Sequence, residues 1–168
     1  MKKGLFCLIL VLLLHLSSSA QLAKVQAGFI YSFTRYLTWD ENSMGDAFVI
    51  GILGNTSTTE ALRMLEGNRT IQNRQVEIKT YETIGDIGKC LILYIPKERR
   101  NSLEVVLAKI GNNPTLIICE EEGMAAKGAG INFLMVSGRV NFEINPAAIK
   151  RQGISIQPQL VALAYRVY

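Results

Sequence analysis

Apolar positions along this chain change period several times, and the changes mark its elements. Over 22–37, LAKVQAGFIYSFTRYL, the residues Val25, Phe29, Phe33 and Tyr36 recur at three- and four-residue spacing. That predicts an amphipathic helix with one apolar stripe. Trp39 ends it, and Asp40 to Gly45 is a polar turn. Phe48 to Leu53 predicts a short apolar strand stopped by Gly54. Ser57 or Thr58 can then cap a helix over 59–66, ended by Gly67. Gln75 to Tyr81 alternates apolar and polar, as an edge or half-buried strand does. Cys90 to Ile95 and Thr115 to Cys119 are unbroken apolar runs of strand length, the pattern of strands buried on both faces. Between them, residues 98–110 carry Leu103, Val106, Leu107 and Ile110 at helical spacing.

The C-terminal third reads differently. INFLMV and VNFEIN flank Ser137-Gly138 and predict an antiparallel hairpin. Asn145 is a good N-cap for a helix opening at Pro146 and closing at Gly153. A last helix over 158–167 is expected to turn Leu160, Leu163, Ala164 and Val167 inward. Helices and strands that alternate in this way argue for an α/β fold. The expected architecture is a three-layer α/β/α arrangement with a mostly parallel sheet and a C-terminal antiparallel hairpin.

The first twenty residues stand apart. Lys2 and Lys3 precede the apolar run Phe6 to Leu14, and LSSSA supplies small residues before a cut expected between Ala20 and Gln21. This is the layout of a secretory signal peptide over 1–20. The run is about nine residues, whereas a bilayer core needs about twenty. The expected product is an exported single α/β domain over 21–168, a length suited to one domain that folds without disulfide or metal.

Removing that segment changes the chemistry available. His15 is the only histidine, and it leaves with the signal peptide. Ser-His-Asp and Cys-His catalysis and histidine-based metal sites are then excluded. Losing two of the 18 basic residues against 14 acids leaves a net charge of about +2, too weak and too scattered to argue for nucleic acid. Of three cysteines, Cys7 also lies in the removed segment, while Cys90 opens one buried strand and Cys119 closes another. In parallel neighbours the two sulfurs would lie about 16 Å apart, against the roughly 7 Å between Cα atoms that a disulfide allows. Two buried thiols are expected.

Four groups could carry function. Gly51-x-x-Gly54 leads into Asn55, Thr56, Ser57 and Thr58. A strand entering a hydroxyl-rich helix start can bind an anion on backbone N–H groups, and Gly54, Asn55, Ser57 and Thr58 make a candidate ligand loop. It matches neither a dinucleotide nor a Walker fingerprint, and an ordinary cap explains it too. Glu120, Glu121 and Glu122 could hold a hard cation or lie in a solvated loop. Tyr31, Arg35 and Trp39 fall off the helix stripe and could form a surface anchor of the kind found at interfaces, or pack at the helix end. Arg139, Asn141 and Glu143 share one strand face, exposed to solvent or to a partner. Asn55 and Asn68 each begin an Asn-x-Ser/Thr sequence, a short motif that chance also supplies.

Three blocks carry a family resemblance: KVQAGFIYSFTRYLTW (24–39) with FVIGILG (48–54), CLILYIP (90–96), and GAGINFLMVSGRVNFEINPAAIKRQGISIQPQLVALAYRV (128–167). Together they resemble the YfiR family. The resemblance implies a non-enzymatic bacterial periplasmic regulator of α/β/α fold. It implies no cofactor and a tendency to dimerise. Its partners would be the periplasmic sensor domain of an inner-membrane signalling enzyme, a diguanylate cyclase or a histidine kinase, and an outer-membrane lipoprotein. The output of such a system is the level of cyclic-di-GMP. Better-known members carry more cysteines, so this chain departs from a disulfide-held pattern. A periplasmic small-ligand sensor is the alternative expectation.

Overall fold

The computed structural model describes residues 20–67 and 69–168. The expected signal peptide, apart from Ala20, and Asn68 lie outside the described residues. Helix α1 covers 20–33 and runs into a turn and the short strand β1 (Leu37–Thr38). The following elements are β2 (Ala47–Leu53), α2 (Ser57–Arg63), β3 (Thr70–Ile71), β4 (Arg74–Tyr81), β5 (Ile92–Ile95), α3 (Leu103–Ile110) and β6 (Leu116–Cys119). The chain then forms the hairpin β7 (Ile131–Val136) and β8 (Arg139–Ile144), helix α4 (Pro146–Arg151), β9 (Ser155–Ile156), α5 (Pro158–Leu163) and β10 (Arg166–Val167). Among the described residues no helix is long and apolar enough to cross a membrane.

Eight strands form one sheet in the order β10-β8-β7-β6-β5-β2-β4-β3, and β1 pairs with β9 in a separate two-stranded sheet. From β4 to β7 every neighbouring pair is parallel, and β7–β8 and β3–β4 are antiparallel. The α/β expectation, mostly parallel with a C-terminal hairpin, is met. Right-handed crossovers follow from strand twist and set where each connection runs. The move from β2 to β4 puts α2 on the first face of the sheet. The moves from β4 to β5, β5 to β6 and β6 to β7 run the other way and cover the second face.

Local chemistry agrees with these elements. Asn145 accepts the Ala148 N–H at 2.9 Å and caps α4, and Pro146 stands at its start. Ser137 and Gly138 both take positive φ, +48° and +76°, which a two-residue hairpin turn of matching twist requires. Gly51 leaves room on the second face, since a Cβ there would lie 2.6 Å from the Tyr81 ring. Cys90 and Cys119 are free and buried, near opposite ends of the central strands.

Three element expectations are corrected. Helix α1 stops at residue 33, and its buried positions are Ala23, Gln26, Ala27, Ile30 and Phe33, whereas Val25 is 37% exposed. The helix carries apolar residues on two adjoining stripes, and the one with small alanines lets it approach the sheet closely. Second, α5 ends at Leu163, which is exposed. Arg166 and Val167 instead extend the sheet beside β8, where Arg166 meets Glu143. Third, two helix starts move: the stretch over 98–110 opens as a 3₁₀ turn, Lys97–Ser102, before α3, and the helix expected over 59–66 behind Ser57 or Thr58 is Ser57–Arg63, with Thr56 in the cap position.

Two apolar layers result. The first face packs Ile30, Phe33, Leu37, Trp39, Phe48, Leu62, Ile149 and Leu160 beneath α1, α2, α4 and α5. The second packs Leu53, Tyr81, Cys90, Leu93, Val106 and Cys119 beneath α3 and two helix-free connections.

Candidate functional site

The sheet reverses its winding between β2 and β5, since α2 leaves one strand on the first face and Lys97–Ser102 leaves the other toward the second. Open α/β sheets hold ligands in the crevice at such a point, outside the carboxyl ends of the strands. A cavity of about 510 Å³ lies there, lined by Gly54, Asn55, Thr56, Ser57, Glu82 and Arg99 among others. Gly54, Asn55 and Ser57 of the expected ligand loop therefore come together at its mouth. Thr58 does not join them: it is 2% exposed, and its hydroxyl donates to Gln26 Oε1 at 3.0 Å. The crevice is charge-mixed, with Glu82 and Glu98 beside Arg99, and the Arg99 guanidinium donates to the Glu82 carbonyl at 3.3 Å.

Beneath the crevice runs a buried polar knot that sequence spacing gives no sign of. Gln26 donates to Glu120 Oε1 at 2.9 Å and accepts from Thr58 and, at 3.4 Å, from the Tyr94 hydroxyl. The second Glu120 oxygen accepts the Lys97 N–H at 3.3 Å. Burial, together with Glu120 nearby, raises the Tyr94 phenol well above its ordinary range. The phenol stays neutral and ties α1 to the strand ends. From Gln26 to Glu120 the members of the knot span 94 residues of sequence, so only the fold assembles it.

The acidic run does not converge. Glu120 turns inward, Glu121 pairs with Lys97 at 3.9 Å, and Glu122 pairs with Arg166 at 3.8 Å. Among the described residues no three His, Cys, Asp or Glu side chains group as metal ligands.

The two expected partner surfaces split. Trp39 is 1% exposed, stacks edge-on against Phe48 at 5.1 Å, and donates its indole N–H to the Pro114 carbonyl at 3.0 Å. The expectation of a surface anchor at Trp39 is corrected: β1 carries the ring into the core. Tyr31 is half-buried at the rim of that core, and Arg35 is exposed. Their guanidinium and ring lie 5.9 Å apart, and Arg69, beside β3, covers the same ring at 5.5 Å. Both distances suit cation–π attraction. Neither arginine forms an ion pair among the described residues. Arg69 is the member that sequence spacing missed, since it lies 38 positions from Tyr31 and pattern alone cannot join them.

On β8, Arg139 is exposed and Asn141 half-buried, but Glu143 is fully buried. The expected exposure of Glu143 is corrected. Its Oε1 accepts from Arg166 at 2.6 Å and its Oε2 accepts the Gly123 N–H at 2.7 Å. The last strand and the 120–130 connection cover what alternation leaves open.

The fold has solved counterparts. An ABC domain from Streptococcus pneumoniae, solved in complex with L-Trp, superposes with a TM-score of 0.58 at 13% identity, covering 87% of this chain and 60% of that one. A conserved domain protein from Vibrio cholerae gives 0.60 at 12% identity, with the same coverages. The chain thus spans about three fifths of each, and at these identities the likeness is one of fold. No curated protein matches the sequence. A family model described as YfiR/HmsC-like does match, over residues 23–165, and the chain therefore belongs to the YfiR/HmsC-like family.

Proposed function

We propose that this protein is a periplasmic regulator that docks on the sensor domain of an inner-membrane signalling enzyme, a diguanylate cyclase in the first instance, and holds it inactive. Membership of a regulatory, non-catalytic family supports the regulatory role. Docking would act by binding one of two sensor states more tightly than the other. The observation that carries the surface assignment is the Arg35–Tyr31–Arg69 stack. Two arginines without acidic partners among the described residues flank an aromatic ring that rests on the core. Interfaces enrich tyrosine and arginine at their energetic centres, and the charge asks for an acidic patch on the partner. Arg139 and Asn141 form a second, weaker contact region at the far end of the sheet.

The test couples the protein to beads and exposes it to detergent-solubilised membranes of its source, beside the double variant Arg35→Glu/Arg69→Glu. Capture of an inner-membrane cyclase or kinase by the wild type alone is the expected outcome. Equal capture by the variant would remove the surface assignment. Capture of no such enzyme by a folded wild type would remove the docking function.

A further inference from the structure

The connection from β4 to β5, residues 82–91, crosses the second face without a helix. Beside α3 it leaves a cavity of about 390 Å³ at the amino end of the parallel strands, across the sheet from the crevice described above. Buried Ile87, Leu91 and Ile110 and half-buried Pro114 supply apolar wall, exposed Lys89 and Lys109 supply charge, and Asn113 and Thr115 add uncharged polar groups. Among the described residues no acidic one lines it. Neither lysine forms an ion pair among the described residues, although five other basic side chains do.

The walls are fixed before any ligand arrives. The Thr115 hydroxyl donates to the Cys90 carbonyl at 2.7 Å, and the Leu116 N–H donates to the Leu91 carbonyl at 2.9 Å. The connection is pinned at its start, where the Thr83 N–H and hydroxyl both donate to the Asp86 carboxylate, at 3.0 and 2.8 Å. Preformed sites lose less ordering entropy on binding. Ligand cavities begin at about 300 Å³, so this one suits a single-ring or short branched molecule. Apolar walls reject a bare inorganic ion, and two uncompensated ammonium groups reject a cation.

We propose that this cavity binds a small organic carboxylate, its apolar body against Ile87, Leu91 and Ile110 and its charge met by Lys89 and Lys109. The site is separate from the docking surface, so its success or failure leaves that assignment untouched.

The chain contains its own reporter. Trp39 is the only tryptophan, and its indole N–H bonds to Pro114, which lines the cavity. Titration of the protein with phenylacetate is expected to change Trp39 emission saturably, with a Kd near or below about 1 mM. Ligand-observed saturation-transfer NMR with the same probe detects binding should the emission stay silent. The double variant Lys89→Ala/Lys109→Ala changes two exposed side chains and is expected to keep the wild-type unfolding midpoint while binding at least about tenfold more weakly. The neutral isostere 2-phenylethanol is expected to lose a similar factor. Silence in both measurements up to about 20 mM probe would overturn the proposal. So would equal binding by the double variant, or 2-phenylethanol binding as tightly as phenylacetate.

Discussion

The two faces of the sheet are covered by different means. On the first, α1, α2, α4 and α5 supply the cover, and Ile30, Phe33, Trp39, Phe48, Leu62 and Ile149 pack beneath them. On the second, α3 shares the task with two helix-free connections, 82–91 and 120–130. A helix satisfies its own backbone groups, so a face under helices needs only apolar side chains. A connection without helix brings unpaired N–H and C=O groups, and the sheet must answer them. Here Glu143 accepts the Gly123 N–H, Asn132 accepts the Ala125 N–H at 2.7 Å, and Asn145 donates to the Ala125 carbonyl at 2.8 Å. Loop cover therefore demands buried polar residues and leaves a trench where no helix fits. The polar knot around Gln26 is the first face's exception, placed at the strand ends where packing opens toward the crevice.

The largest expected effect lies on the first face. Phe48→Ala removes a fully buried ring that packs edge-on against Trp39. It is expected to cost about 3–5 kcal/mol in urea unfolding, by lost transfer energy and a residual cavity. A much smaller loss would mean that the helices close over the gap, and that the first face is no tighter than the second.

Next comes the polar seam of the second face. Arg166→Ala leaves the buried Glu143 carboxylate with the Gly123 N–H and the Tyr168 hydroxyl but without its cation. Removing one partner strands the other's charge. The unfolding midpoint is expected to fall further than for Arg139→Ala, an exposed arginine on β8. Adding Glu143→Gln to Arg166→Ala should restore part of the loss. If both arginine variants behave alike, the seam is ornament and β10 is held by its backbone bonds alone.

The smallest effect separates the faces by pH. Burial lifts the Cys90 thiol to about 11 and the Cys119 thiol to about 12, from an ordinary value of 9.0. Both thiols belong to the second face. The folded chain therefore keeps protons that the unfolded chain releases, and stability falls as pH rises from about 9 toward 11–12. Between pH 8 and about 10.5 each thiol is expected to account for about 1–2 kcal/mol of that fall. Cys90→Ala/Cys119→Ala should flatten the decline without abolishing it, because burial also pushes the Tyr81 phenol up to about 12 and raises the Tyr94 phenol of the first face, and both titrate in the same direction. An unchanged slope in the double variant would place the alkaline loss elsewhere.

Much of the fold was legible in the residues themselves. Uninterrupted runs such as CLILYI and TLIIC mark strands covered on both sides, because a strand tolerates apolar side chains in both directions only when both are buried. Ser137-Gly138 sets the hairpin and Asn145-Pro146 sets the start of α4, since turns and caps are chemistry among near neighbours. Membership of the family was readable for the same reason: its blocks are mostly core and turn residues. Tertiary structure decided what depends on distant partners. It chose Ala27 and Ile30 over Val25 as the inward side of α1, carried Trp39 into the core, and drew the last residues out of a helix to meet Glu143. It set Arg69 over the Tyr31 ring and placed Lys89 and Lys109 on one cavity. Local sequence specifies periods and turns, because those rest on contacts between near neighbours. Which face is covered, by what, and which charges go unanswered depend on strand order, and that emerges only when the whole sheet is assembled.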